Sequence, residues 1–214
     1  SIELDDLDGT FGRSDVWRIA RALQVQVGVE DTLRTIDSSD IDRLAYQSYL
    51  RGLEAHALRM SNNRYRFEGV RLLRSAVQTQ PDFADAWSVL AEAMVSGFGG
   101  PSMKEASAYI QETEQIIARA LELSPNDARA NASAATWYSA VHLDLERAER
   151  HLQLALQFGP GLPQTQTALA GYYAITGEPE QALVALERLA SIDPLNLRAA
   201  FYTARYIVAF GYFE

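Results

Sequence analysis

Four prolines sit in matching phrases along the chain: Gln80-Pro81-Asp82, Ser124-Pro125-Asn126, Gly159-Pro160-Gly161 and Asp193-Pro194-Leu195. Successive prolines lie 44, 35 and 34 residues apart. Proline cannot continue a helix, yet its fixed φ can open the next one after a short link. A recurrence near 34 residues, closed by such a link, describes a unit of two helices and a turn. One such unit cannot bury its apolar face alone and must stack on its neighbours. The spacing predicts an all-α solenoid, with about ten extra residues inserted in the unit between Pro81 and Pro125.

The interior of each unit follows helical periodicity. In the fourth, Leu169, Ala170 and Tyr173 fall on one helix and Ala182, Leu186 and Leu189 on the next. Gly177 is expected to end the first of these and Pro179 to start the second. In the third, Ala132, Ala135 and Tyr138 precede a turn at Leu143-Asp144, and Ala148, Leu152, Ala155 and Leu156 follow it. In the second, Trp87, Leu90, Ala91 and Met94 mark a helix that Ser96-Gly97-Phe98-Gly99-Gly100-Pro101-Ser102 interrupts before a long helix over 104–123. Closely crossing helices need small residues, and Ala57, Gly69 and Ala76 are expected to fill those places in the first unit. The units run over about 50–83, 84–128 with the insertion at 96–102, 129–162 and 163–196, and a half unit occupies 197–214. With a leading helix, the total is about ten helices.

Both ends differ from the middle. Residues 1–44 hold ten acidic residues against five arginines, more than half of the net charge of -9. Within this leader Val16, Ile19, Ala20, Leu23 and Val27 recur at helical spacing behind a cap at Ser14 or Asp15, and Gly28 closes that helix. Residues 29–41 read as a polar link, with Asp40 capping the first repeat. At the other end the half unit leaves Phe201, Tyr202, Tyr206, Ile207, Phe210 and Phe213 without a second helix to pack on. The chain therefore reads as a piece of a longer protein, or as one that covers this end by self-association.

Repeats of this length and composition resemble the tetratricopeptide (TPR) repeat, and the order of phrases narrows the resemblance. Ile19-Ala20-Arg21-Ala22-Leu23 is followed by Ala45-Tyr46-Gln47-Ser48-Tyr49-Leu50-Arg51-Gly52 and then by Gln80-Pro81-Asp82-Phe83-Ala84-Asp85-Ala86-Trp87. A lengthened second repeat closes with Ala118-Arg119-Ala120-Leu121-Glu122-Leu123-Ser124-Pro125-Asn126. This order resembles the C-terminal TPR region of bacterial class III adenylate cyclases and of winged-helix transcription regulators of the CadC and HilA kind. The resemblance spans about residues 14–214; residues 1–13 do not align with the β-rich segment often found there. It implies an all-α right-handed TPR superhelix that serves as a non-catalytic protein-interaction scaffold of a larger regulator. The location it implies is cytoplasmic, or periplasmic for a CadC-like protein. No cyclase carboxylates and no winged-helix recognition helix can be assigned to this chain.

Charge and composition exclude other classes. Nineteen basic against twenty-eight acidic residues repel a phosphate backbone, so nucleic-acid binding by this domain is disfavoured. No stretch approaches the roughly 18 apolar residues of a membrane helix, and with no cysteine there is neither a disulfide nor a thiolate site. Asp6-Leu7-Asp8-Gly9-Thr10-Phe11 looks like the first motif of haloacid-dehalogenase phosphatases, but that chemistry needs a parallel sheet with a lysine and further aspartates. The sole lysine, Lys104, adjoins a loop in a helical region. A calcium loop over Asp6, Asp8, Gly9, Thr10 and Asp15 begins on Leu4 and ends on Asp rather than Glu, which weakens two ligand positions. His56, His142 and His151 lack helical zinc spacing, and the loop at 96–102 lacks the Gly-Lys-Ser/Thr of a phosphate cradle. No catalytic, metal or cofactor residue is assigned, and the chain is read as no enzyme.

The partner is expected to be a protein or peptide lying along the inner wall, which successive first helices line. That wall is read as Arg51 and Glu54, Asp85, Ser88 and Glu92, Ser133 and Trp137, Thr167 and Gly171, then Arg198, Phe201 and Arg205. Aromatics and arginine dominate interface energetics, so Trp137, Arg198, Phe201 and Arg205 are the candidate partner contacts. Glu54, Asp85 and Glu92 would repel a bound carboxylate. The alternative is homodimerisation through the unpaired C-terminal half repeat.

Overall fold

A computed structural model describes residues 41–60, 63–97 and 106–192. The chain divides into two compact units, Ser1–Asp37 and Ser38–Glu214, and every described residue belongs to the second. The leader motifs, the leading helix over 14–28 and the half repeat 197–214 lie outside the described residues.

Among the described residues eight α-helices follow in chain order: α1 (Arg43–Ala57), α2 (Asn63–Thr79), α3 (Ala84–Gly97), α4 (Ala106–Leu123), α5 (Ala128–Trp137), α6 (Leu145–Phe158), α7 (Pro163–Thr176) and α8 (Pro179–Ile192). They pair as α1/α2, α3/α4, α5/α6 and α7/α8. Each second helix packs on its own first helix, and α2, α4 and α6 also touch the first helix of the next pair. First helices pack on one another, α1 on α3, α3 on α5 and α5 on α7. An inner layer of first helices is thus backed by an outer layer of second helices. The expected all-α solenoid is what the chain builds.

The proline phrases make one turn repeated three times. Phe83 N–H bonds Gln80 C=O at 3.2 Å, Asp127 bonds Ser124 at 3.1 Å and Leu162 bonds Gly159 at 3.1 Å. Each is a four-residue turn with proline second, where its φ is already correct. The proline carbonyl has no helical partner, and a side chain six residues on supplies one in every case. Trp87 Nε1 donates to Pro81 O (3.0 Å), Asn131 Nδ2 to Pro125 O (2.9 Å) and Gln166 Nε2 to Pro160 O (2.7 Å). Three chemically different residues perform one task, so the repeat is kept in register rather than in residue type.

The interval of 35 rather than 34 has a local cause. After α5 the backbone continues as a π-helical turn, Tyr138–His142, and ends on Leu143 in the left-handed region at φ 54°. In the fourth pair the corresponding helix ends one position earlier, on Gly177 at φ 81°. The extra residue of the third unit is absorbed as a wider helical turn, as a single insertion into a helix usually is. The strained terminal position goes to leucine where the fourth unit uses glycine.

At the first pair the structure corrects two expectations. The cap of α1 is Asp42 rather than Asp40: the Asp42 carboxylate accepts from Leu44 N (2.8 Å) and Ala45 N (3.0 Å). The close crossing of α1 and α2 uses Gly52 and Gly69 together with the buried Ala76, whereas Ala57 faces outward. A methyl on Gly69 would come within 3.1 Å of His56 N and 3.4 Å of Gly52 O, both backbone atoms that move only if the helices part.

Gly69→Ala is therefore expected to destabilise by up to about 2 kcal/mol, an overpacking cost of ~1–3 kcal/mol less the ~1 kcal/mol helix preference of alanine. At Gly171, where nothing lies within 4 Å of the added methyl, the same change should stabilise by up to ~1 kcal/mol. Urea unfolding of the two variants reads the difference directly.

Two apolar clusters fill the space between the layers. Tyr49, Leu73, Phe83, Leu90, Met94, Ile117 and Trp137 belong to the first. Ala132, Ala135, Leu152, Leu169, Leu186 and Leu189 belong to the second. Helix α5 contributes to both, and so joins the two halves of the solenoid.

Candidate functional site

Counting from the prolines places inner-wall residues in register. Four residues after each proline stand Asp85, Arg129 and Gln164; seven after, Ser88, Ala132 and Thr167; eleven after, Glu92, Thr136 and Gly171. The second and fourth units match the sequence reading. The third does not, because Ser133 and Trp137 lie one residue further on, a rotation of about 100° around the helix.

Trp137 accordingly shares its register with Ala93, and both are 1% exposed in the first core cluster. The expectation that Trp137 contacts a partner is corrected: its indole belongs to the buried core, and the half-buried Thr136 stands in register with Glu92. Arg198, Phe201 and Arg205 lie outside the described residues.

The centre of the wall is Glu92, only 7% exposed although charged. Its Oε1 accepts from His56 Nε2 at 3.1 Å and lies 3.9 Å from Arg59. Its Oε2 accepts from Arg129 Nη1 at 2.7 Å and from Gln164 Nε2 at 3.2 Å. These donors come from α1 and the 3-10 turn after it, from α5 and from α7, so one carboxylate ties all four pairs together. Burial opposes its charge, but His56, Arg129 and Arg59 outweigh that cost and hold its carboxyl well below the usual range. Glu92 is thereby neutralised in place and does not repel a ligand carboxylate as its sequence alone suggests.

Nearer the helix N-termini the wall has a different character. Asp85 is half-buried in the first turn of α3 and makes no hydrogen bond or ion pair among the described residues. Burial raises its pKa, the charge of Asp127 raises it further, and Arg129 partly offsets both. Asp127 caps α5, with Oδ1 accepting from Ala130 N at 2.6 Å. The rings of Tyr46 and Tyr49 stand 6.2 Å apart, and Tyr49 meets Phe83 at 4.9 Å.

The remaining histidines serve local packing. His151 Nδ1 bonds Asn131 Oδ1 at 2.9 Å and its ring stacks on Tyr138 at 5.6 Å, while His142 pairs with Glu114 at 2.7 Å. Among the described residues no three His, Asp or Glu side chains converge as metal ligands, and no helix is long and apolar enough to cross a membrane.

The backbone architecture is similar to that of several solved proteins. TTC0263, a thermophilic TPR protein of Thermus thermophilus, superposes with a TM-score of 0.58 over 91% of this chain and 95% of its own, at 18% identity. The fold is a TPR solenoid. MamA MSR-1 C2 matches at a TM-score of 0.43 and 16% identity, covering 83% of this chain and 90% of its own. PilW, a widely conserved type IV pilus biogenesis factor, matches at 0.34 and 15%, covering 81% and 96%. No family model matches the sequence, and no curated protein matches it.

Sequence reasoning missed Arg129 and Gln164 as wall residues. The signal that finds them is their fixed distance of four residues after Pro125 and Pro160.

Proposed function

We propose that this TPR solenoid is a protein-interaction scaffold whose inner wall receives a segment of a partner protein or of another domain of the same polypeptide. The supporting observation is the continuous inner layer α1, α3, α5, α7, tied together where Glu92 bonds Arg129 and Gln164. A rigid wall offers a preformed surface, and binding to it loses little conformational entropy. The order of phrases that resembles bacterial cyclases and winged-helix regulators makes a signalling or transcription regulator the setting, with the bound segment biasing an output module.

A photoreactive residue at Thr167, on the wall, should cross-link a protein segment in cells, whereas one at Val184, exposed on outer helix α8, should not. Peptide mapping of the product identifies the segment. Equal labelling from both positions, or none from Thr167, would overturn the groove reading.

A further inference from the structure

The outer face of α2 differs in charge from the rest of the chain. Residues 59–74 hold five arginines and one acidic residue, in a sequence whose net charge is -9. Arg64, Phe67, Arg71 and Arg74 follow at intervals of three, four and three, which sets them along one stripe of the helix. Phe67 lies within that stripe and is 64% exposed. The guanidinium carbon of Arg66 stands 5.5 Å from the centre of its ring, and Arg66 makes no hydrogen bond or ion pair among the described residues. Arg71 holds Glu68 through two bonds, of 2.6 and 3.1 Å, and Arg74 holds Glu112 of α4 at 2.8 Å. Both pairs stay open to water, where such contacts are weak and a better acceptor can replace them. The first turn of α2 carries Arg64 and Arg66 and no acidic residue, although the positive end of a helix dipole favours the opposite sign.

A lone exposed phenylalanine is ordinary on a protein surface. One flanked by arginines has the composition of an interface core, where aromatics and arginine are enriched and acidic residues depleted. We propose that this outer face of α2 is a second docking surface, separate from the inner wall, that takes a short acidic segment of a partner protein. An apolar side chain of the segment packs on Phe67, and its carboxylates accept paired bonds from Arg66 and Arg71. Charge decides for such a segment over a nucleic acid. Both present anions, but a phosphate backbone running past α2 meets a chain that is acidic as a whole. The inner-wall reading neither requires this surface nor supports it.

Selection of a random twelve-residue peptide display library on the intact chain, after depletion on the double variant Arg66→Gln, Phe67→Gln, tests this. Expected are survivors rich in aspartate and glutamate that also carry a large apolar residue. Their affinity should fall about tenfold or more in Phe67→Gln and in Arg66→Glu, and should weaken as salt rises. Both substitutions lie at the surface, so both variants should unfold at about the parent urea concentration, which a packing role would not permit. Cross-linking from Thr167 should be unchanged in Phe67→Gln, so the inner wall and this face stand or fall separately. Basic or uncharged survivors, no survivors, or binding unmoved by either substitution would overturn the surface. A mixed-sequence single-stranded oligonucleotide that binds the parent and is lost from Phe67→Gln would overturn the choice of a protein partner.

Discussion

Glu92→Ala should destabilise the solenoid by about 3–5 kcal/mol, the loss expected when one member of a buried ion pair is removed and the other stays behind. What stays behind is Arg129, with its guanidinium about one-sixth exposed and its principal acceptor gone. His56 and Gln164 each lose a partner in the same change. Domains of this size are stable by ~5–15 kcal/mol, so a large share of the folded population is at stake. Replacing Glu92 and Arg129 together by Leu and Met should recover part of the loss, because the cation that bonds the carboxylate most closely leaves with it.

The pH dependence follows from the sign of the shift. Glu92 is depressed below its unfolded value near 4.5, so its contribution is complete above that value and fades as pH falls through the lower folded one. Urea titrations from neutral to acid pH should show this slope in the parent and a flatter one in Glu92→Gln. Equal slopes would contradict the buried network.

The proline register was legible before any coordinates, and with it the helix pairs, the Gly177 stop and the Pro179 start. Local chemistry decides these features, so local sequence carries them. The wall network was not legible, because Glu92 finds Arg129 and Gln164 at separations of 37 and 72 residues. Sequence displayed three wall carboxylates and gave no sign that one was neutralised. The misplacement of Trp137 has a narrower cause. An aromatic at roughly the right spacing drew the third unit out of register, although counting from Pro125 puts Thr136 in line with Glu92. Asp40 and Asp42 are equivalent as cap signals, and only the start of α1 at Arg43 separates them.

Trp137→Ala should cost about 3–5 kcal/mol, the range for emptying a buried aromatic site. A tryptophan on an open wall would cost less than ~0.5 kcal/mol on the same change, so the measurement decides between the two placements. The shape of the transition should change as well. Trp137 and Ala134 enter the first core cluster from α5, and Ala132 and Ala135 of the same helix enter the second. In a solenoid each pair is stabilised chiefly by its neighbours, so coupling between the halves passes through this helix. A cavity at Trp137 weakens the α3/α5 contact more than any pair's own interior. The denaturation curve of Trp137→Ala should therefore broaden or split, with the α7/α8 pair unfolding at a different urea concentration from α1/α2. Trp137→Phe, which refills most of the space, should restore a single transition at a smaller cost. A sharp, parent-like curve for Trp137→Ala would mean that the two clusters communicate through the outer helices instead.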